Sequence, residues 1–309
     1  MNKKTLLYFK NINMDKANLS HLKKKFNVIE TKNLDTSNKL DILKKKNISL
    51  IYCDPSNYYS ANYLKKFKNL RCLVSSTTSK GFIDSKYCKL KKIIIICLEN
   101  EKRFLSKITP TAEHVFGLIL LITRNYYEAI RSLDKGVFNR RPFGGYGMLS
   151  KLKIGIIGYG RLGKIVKKIS QGFQMKSYVC DIKMKNYKSL LKKVIAQSDI
   201  ITLHIPSKKN FKFFGKTIEK SIKKPFFLIN TSRGDVVDEK IIIKLLKSEK
   251  ILGYATDVLY KEFLPKFKLK ENIIFKNRRN YNIVITPHIG GSTKDAWKLT
   301  EFQVIKKLK

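Results

Sequence analysis

The 309-residue sequence predicts an α/β protein of two Rossmann-like domains, each built on a doubly wound parallel sheet. Three observations carry that expectation. Short apolar runs alternate with amphipathic, Lys-rich segments along nearly the whole chain. The length suits two domains of roughly 100–200 residues. Near the middle, a G-x-G-x-x-G run directly follows an apolar strand.

In order along the chain, strands are expected at 5–9, 26–30, 49–53, 71–75 and 93–98, with helical segments such as 17–25 and 61–68 between them. Thr109-Pro110 then supplies a hydroxyl cap and a first-turn proline, the usual opening of a helix. That helix should run from Ala112 to about Leu133, be buried where it is apolar on all sides (115–122), and stop at Lys135-Gly136. Residues 140–147 read as an irregular connection, with Arg140 and Arg141 either meeting a phosphate or, the preferred reading, lying on a solvated edge. A second series of strands follows at 154–157, 178–181, 200–204, 226–230, 253–257 and 283–286, the count of a complete dinucleotide-binding sheet. The segment 293–309, with the only tryptophan, Trp297, should be a closing helix.

Composition excludes several classes. With 43% hydrophobic residues the chain is too apolar for disorder, and its longest apolar run, 115–123, is about half a membrane span. The N-terminal apolar stretch 5–9 is too short for a secretory signal, so a cytoplasmic protein is expected. Five cysteines without C-x-x-C spacing read as reduced thiols, and four unclustered histidines give no support to a metal site. The net charge of +42 raises polyanions as partners. However, 55 of the 65 basic residues are Lys, spread without a dense block, which argues against specific nucleic-acid recognition. Non-specific, salt-dependent attraction to polyanions is expected instead.

The glycine run has a definite physical logic. Gly158 permits the tight turn, Gly160 lets backbone approach a pyrophosphate, and Gly163 lets the helix sit close on the strand. Arg161 and Leu162 complete this cofactor-binding turn, at a helix N-terminus whose free N–H groups favour negative charge. Asp181 lies 18 residues beyond Gly163, near the spacing of the acid that binds the adenosine ribose. A carboxylate there points to NAD, while Lys183, two residues on, keeps NADP open.

Four later segments fall where loops leave the carboxyl ends of strands: 202–206, 230–239, 255–262 and 286–293. With the glycine run, their order and spacing resemble the D-isomer-specific 2-hydroxyacid dehydrogenase family over roughly residues 70–309. The run Thr286-Pro287-His288-Ile289-Gly290-Gly291-Ser292-Thr293 is worded most like its phosphoglycerate dehydrogenase branch. The resemblance implies Arg233, Glu262 and His288 as catalytic residues. His288 would exchange a proton with the substrate oxygen, Glu262 would orient its ring, and Arg233 would bind the substrate carboxylate and polarise the carbonyl. It further implies that Asp257 meets the nicotinamide carboxamide, that His204 and Pro206 line the cofactor site, and that Thr231 and Ser232 touch the cofactor. Thr78 and Ser79 would hold the substrate carboxylate, although Ser79 replaces the family's usual glycine; Glu113 would be structural. The family usually places Pro after the catalytic Glu, where this chain has Phe263.

What the resemblance implies as a whole is an NAD-dependent oxidoreductase acting on a D-2-hydroxy acid or 2-oxo acid, with 3-phosphoglycerate among the candidates. Its substrate domain (1–105 and 293–309) would carry an inserted dinucleotide-binding domain (106–292), with the active site in a cleft closed by a hinge. A homodimer through the cofactor domain is also implied. The alternative is a nicotinamide-sensing regulator or corepressor on the same fold.

Overall fold

The computed structural model describes residues 3–207 and 210–308; residues 1, 2, 208, 209 and 309, included in the domain limits expected above, lie outside them. The chain forms two compact units. One comprises the chain through Ile108, with Phe263–Phe267 and the stretch from Ser292; the other comprises Thr109–Glu262 and Lys268–Gly291. The return at Phe263–Phe267 is too short to carry a periodic signal. Its Phe263 ring lies 6.4 Å from that of Phe82 in the first unit's core.

The first unit alternates β1 (Thr5–Phe9), α1 (Lys16–Lys25), β2 (Asn27–Thr31), α2 (Leu34–Asn38), α3 (Ile42–Asn47) and β3 (Ile48–Tyr52). It continues with α4 (Ala61–Leu64), β4 (Cys72–Val74), α5 (Ser85–Leu90), β5 (Ile94–Ile96) and α6 (Lys102–Leu105). The five strands are parallel, in the order β2-β1-β3-β4-β5. Alternation along β1 sends Leu7 and Phe9 to one hydrophobic core and Leu6 and Tyr8 to the other, as a sheet covered on both faces requires. The helix expected over 61–68 shortens to α4, because Phe67 and Leu70 turn inward to bury their side chains.

The second unit opens with α7 (Pro110–Thr123) and α8 (Tyr126–Leu133), where a single helix was expected. Asn125 breaks it by adopting the left-handed conformation (φ 51°), and the freed Thr123 carbonyl accepts from Tyr146 N instead. Thr109 also departs from expectation: its hydroxyl donates to Glu113 rather than capping the backbone. Next come β6 (Lys153–Ile157), α9 (Arg161–Gly172), β7 (Lys176–Cys180), α10 (Tyr187–Gln197) and β8 (Ile200–Leu203). The series ends with α11 (Lys216–Glu219), β9 (Phe226–Asn230), α12 (Glu239–Lys247), β10 (Ile251–Thr256), α13 (Ile273–Asn277) and β11 (Ile283–Ile285). The last helix, α14 (Lys294–Lys306), belongs to the first unit and buries Val304 and Ile305 in its core.

The six parallel strands run β11-β10-β9-β8-β6-β7. Only β7 lies beyond β6, because α10 carries the chain straight from β7 to the far side of β6 without a further strand. The reversal of strand order therefore falls between β6 and β8, where open α/β sheets bind ligands. The stretch Lys102–Thr123 has the length and mean hydropathy (1.3) of a membrane span. Its apolar side chains are those of a core helix: Val115, Leu118, Ile119 and Ile122 of α7 pack with Ile154, Ile156 and Ile229 of the sheet. All five cysteines are free and buried, and burial raises the thiols of Cys72, Cys88 and Cys180 to about 11.

Candidate active site

The strand β6 ends at the glycine turn. Gly158 has φ +96°, and a Cβ there would stand 2.4 Å from the His204 carbonyl oxygen, so glycine is required both by conformation and by contact. A Cβ on Gly163 would meet the Gly158 oxygen at 2.1 Å, which is the close helix-on-strand approach expected of it. Around Gly160, by contrast, a Cβ would meet nothing within 4 Å, and no side chain caps α9. Asp181, just past β7, accepts from Tyr159 N (2.8 Å) and Lys183 N (3.0 Å), which ties the acid to the glycine turn. Half-buried Arg161 and Leu162 open α9, and burial lowers the Arg161 guanidinium.

Two buried polar atoms lie just beyond the paired ends of β8 and β9, where Leu203 faces Asn230. His204 Nε2 is 3.0 Å from Thr202 Oγ1, while its Nδ1 has no partner among the described residues. Burial pushes this imidazole down to about 4. Thr231 Oγ1 is likewise buried and unpartnered among the described residues. Open space at Gly160, an uncapped helix and two orphaned polar atoms at the strand ends fit a bound dinucleotide. Ser232 is turned inward, its N and Oγ both bonded to Asn230 Oδ1, and Pro206 is exposed with its carbonyl accepting from Asn210.

Arg233 follows directly in the β9 loop. Its Nη1 donates to Ser232 O at 2.6 Å, and among the described residues the guanidinium forms no ion pair. Burial lowers its pKa against the opposing pull of the nearby Glu262 and Asp235 carboxylates. Gly234 packs against the next loop so tightly that Arg233 is fixed relative to the turn carrying Glu262. In that turn Lys261 has φ 61°, and Glu262 Oε2 accepts from Leu259 N at 3.0 Å. The other oxygen, Oε1, stands 2.8 Å from His288 Nδ1, across 26 residues of sequence. His288 is itself in the left-handed region (φ 56°), which turns its ring toward Glu262. The structure thus joins Glu262 to His288 directly and sets Arg233 on the adjoining loop.

Asp257 lies just past β10 and is bonded into the loop that carries His288. It is 2% exposed, and its carboxylate is turned onto the 286–290 loop rather than outward. Oδ1 accepts from Thr286 Oγ1 (2.6 Å) and Ile289 N (2.8 Å), and Oδ2 from Gly290 N (2.7 Å). Burial alone would raise its pKa, but these donors and His114 outweigh it and hold the carboxyl below the ordinary value. Thr78 and Ser79 belong to the first unit, past β4, where their backbone amides donate to no acceptor among the described residues. Ser79 Oγ accepts from Gly81 N at 3.2 Å.

Two supporting residues escaped the sequence reading. His114 of α7 reaches Thr286 and Asp257, and Glu239 of α12 accepts from Tyr260 N (3.0 Å) and Asn272 Nδ2, bracing the Glu262 turn. Burial raises Glu239 despite those bonds. Nothing in their local sequence sets them apart, since each acts through residues distant along the chain.

Comparison with known proteins bears on the family and the fold. Residues 116–290 match the D-isomer specific 2-hydroxyacid dehydrogenase, NAD binding domain. A D-3-phosphoglycerate dehydrogenase of Haemophilus influenzae is 35% identical over 211 residues, covering 65% of this chain but only 50% of that protein. A glycerate dehydrogenase of Methylorubrum extorquens is 28% identical over 79% of this chain and 77% of its own length. Among solved structures, the pyruvate reductase of Chlamydomonas reinhardtii superposes with a TM-score of 0.80 at 20% identity, over 99% of this chain and 95% of that one. The NAD-dependent formate dehydrogenase of Staphylococcus aureus in complex with NAD gives 0.77 at 22% identity, over 98% and 93%. The chain therefore belongs to the D-isomer specific 2-hydroxyacid dehydrogenase family.

Proposed function

We propose that the protein is an NAD-dependent oxidoreductase that interconverts a small D-2-hydroxy acid and its 2-oxo acid. The observation that carries this reading is the 2.8 Å pairing of His288 Nδ1 with Glu262 Oε1, beside a guanidinium that has no ion pair among the described residues. A bound nicotinamide supplies or accepts the hydride. The chain's residues handle charge and protons. With Nδ1 committed to Glu262, proton exchange with the substrate oxygen falls to His288 Nε2. Arg233, desolvated and forked, is suited to a carboxylate and to the developing negative charge on the carbonyl oxygen. Thr78 and Ser79 are the first unit's candidate donors to a carboxylate. Asp181 supports NAD, and Lys183 leaves NADP as the competing cofactor.

Asp257 serves in this reading to hold the His288 loop. A paired His288 and Glu262 favour catalysis over the regulator alternative, which needs no proton donor. Phosphoglycerate, glycerate and glyoxylate chemistry, named for the relatives, gives the substrate classes to try. A cytoplasmic enzyme suits five free, buried thiols. A homodimer is supported by α8, which buries none of its own residues while exposing Tyr127, Ile130 and Leu133, followed along the chain by exposed Val137 and Phe138. For the charge of +42, diffuse polyanion attraction that fades with salt is the reading we adopt.

The test is a panel of small 2-oxo acids with NADH and with NADPH, followed by absorbance loss, for wild type and His288→Ala. Turnover of at least one acid is expected, falling on the order of 10²–10⁴-fold in the variant while NADH still binds. Two inert proteins that bind NADH would instead support the regulator.

A further inference from the structure

We propose that His114 is a positioning residue for His288, acting through Thr286 and Asp257. The inference deepens the reading of His288 as proton donor and rests on it. His114 Nε2 lies 3.0 Å from Thr286 Oγ1 and 3.4 Å from Asp257 Oδ1. The single Thr286 hydroxyl proton is already given to Asp257 at 2.6 Å, so toward His114 the hydroxyl oxygen can only accept. Nε2 must therefore carry a hydrogen, shared between Thr286 and the carboxylate. The helix α7 thereby reaches the loop that carries His288.

The loop needs such holding. His288 is a non-glycine residue at φ 56°, a conformation that persists only where its surroundings impose it. Asp257 grips both flanks of that residue, taking Thr286 Oγ1 on one side and the amides of Ile289 and Gly290 on the other. A carboxylate 2% exposed can grip in this way only while its own charge is met by donors. His114 is the one side chain from outside the 286–290 segment among those donors. Without it the carboxylate would rotate or take up water, the turn would loosen, and the imidazole would leave the 2.8 Å approach to Glu262. Because a displacement of about 1 Å of a reacting group can cost on the order of 100-fold in rate, this support should be visible in turnover.

The test compares wild type with His114→Leu, which removes the donor, and His114→Gln, which offers an amide N–H at similar reach. The readouts are kcat and KM on the 2-oxo acid the wild type reduces, NADH affinity by fluorescence, and the histidine ring resonances in ¹⁵N NMR, with His288 assigned by its loss in His288→Ala. We expect His114→Leu to lower kcat by about tenfold or more, with KM and NADH affinity changed by about twofold at most. The His288 ring signals should move in His114→Leu, and His114→Gln should restore both kcat and those signals. Unchanged kcat and resonances in His114→Leu, or a glutamine variant no better than leucine, would overturn the proposal. Should His114→Leu fail to fold, Thr286→Val removes the bridging hydroxyl at equal volume and is judged by the same readouts. If the wild type reduces no oxo acid, the proposed activity fails, and the resonances alone decide whether His114 sets the His288 ring.

Discussion

Gly234 and Leu259 are in main-chain contact: a Cβ on Gly234 would stand 2.1 Å from the Leu259 carbonyl carbon and 2.4 Å from Tyr260 N. The Arg233 loop and the Glu262 turn are thus packed backbone to backbone, with no side chain between them to give way. Gly234→Ala must push the two loops apart. We expect a loss of about 1–3 kcal/mol of stability, as for overpacked interiors. A fall in kcat should accompany it, measured by urea unfolding and by turnover on the same preparation. Full stability together with full turnover would show that the loops yield freely.

Glu262→Gln keeps the shape of the side chain but removes the charge that holds His288 Nδ1. The amide has one acceptor oxygen for the two donors that Glu262 serves, His288 Nδ1 and Leu259 N, so the pairing loses its charge and part of its geometry. A fall in kcat of roughly 10–100-fold is expected, smaller than for His288→Ala, with little change in NADH affinity. Steady-state kinetics on the best substrate of the panel checks the ranking.

His204 makes the acid stability of the second unit predictable. Its native value, pushed down to about 4 by burial, lies below the ordinary 6.5. The unfolded chain therefore binds a proton first as pH falls, so stability is full above about 6.5 and declines toward 4. By pH 4.5 this single group should account for about 2–3 kcal/mol of lost stability. Urea unfolding at pH 7 and pH 4.5 should show a smaller decline in His204→Asn than in wild type. Equal declines would mean that the native imidazole titrates near its ordinary value.

The exposed face of α8 predicts association. Phe138 is 96% exposed, an unusual setting for a phenylalanine beside further exposed apolar residues. Light scattering should give a dimer for wild type and a monomer for a variant combining Ile130→Glu and Phe138→Asp. A monomeric wild type would remove the dimer from the proposed function.

Much of this molecule was legible before any coordinates. Strand cores announce themselves through runs such as Ile154–Ile157 or Phe226–Asn230, because strands buried on both faces must be apolar throughout. The Gly158 turn was visible from its glycine spacing, and Arg233, Glu262 and His288 were singled out by the resemblance of their loops to the family. The break at Asn125 was not, since a left-handed residue inside a helical pattern has no periodic signature. Nor was the orientation of Asp257. Whether a carboxylate faces outward or grips Thr286, Ile289 and Gly290 depends on donors about 30 residues away. His114 and Glu239 were hidden for the same reason: their partners become neighbours only when the sheet assembles.

The five enclosed thiols have a practical consequence. Since none of the cysteines is accessible, and burial suppresses the reactive thiolate of Cys53, Cys72, Cys88 and Cys180, the exterior offers almost nothing to a maleimide. A cysteine introduced at one exposed position would be labelled selectively, without first stripping the native ones. A fluorophore pair attached in this way, one dye on each unit, could follow their separation in solution as oxo acid and NADH are added.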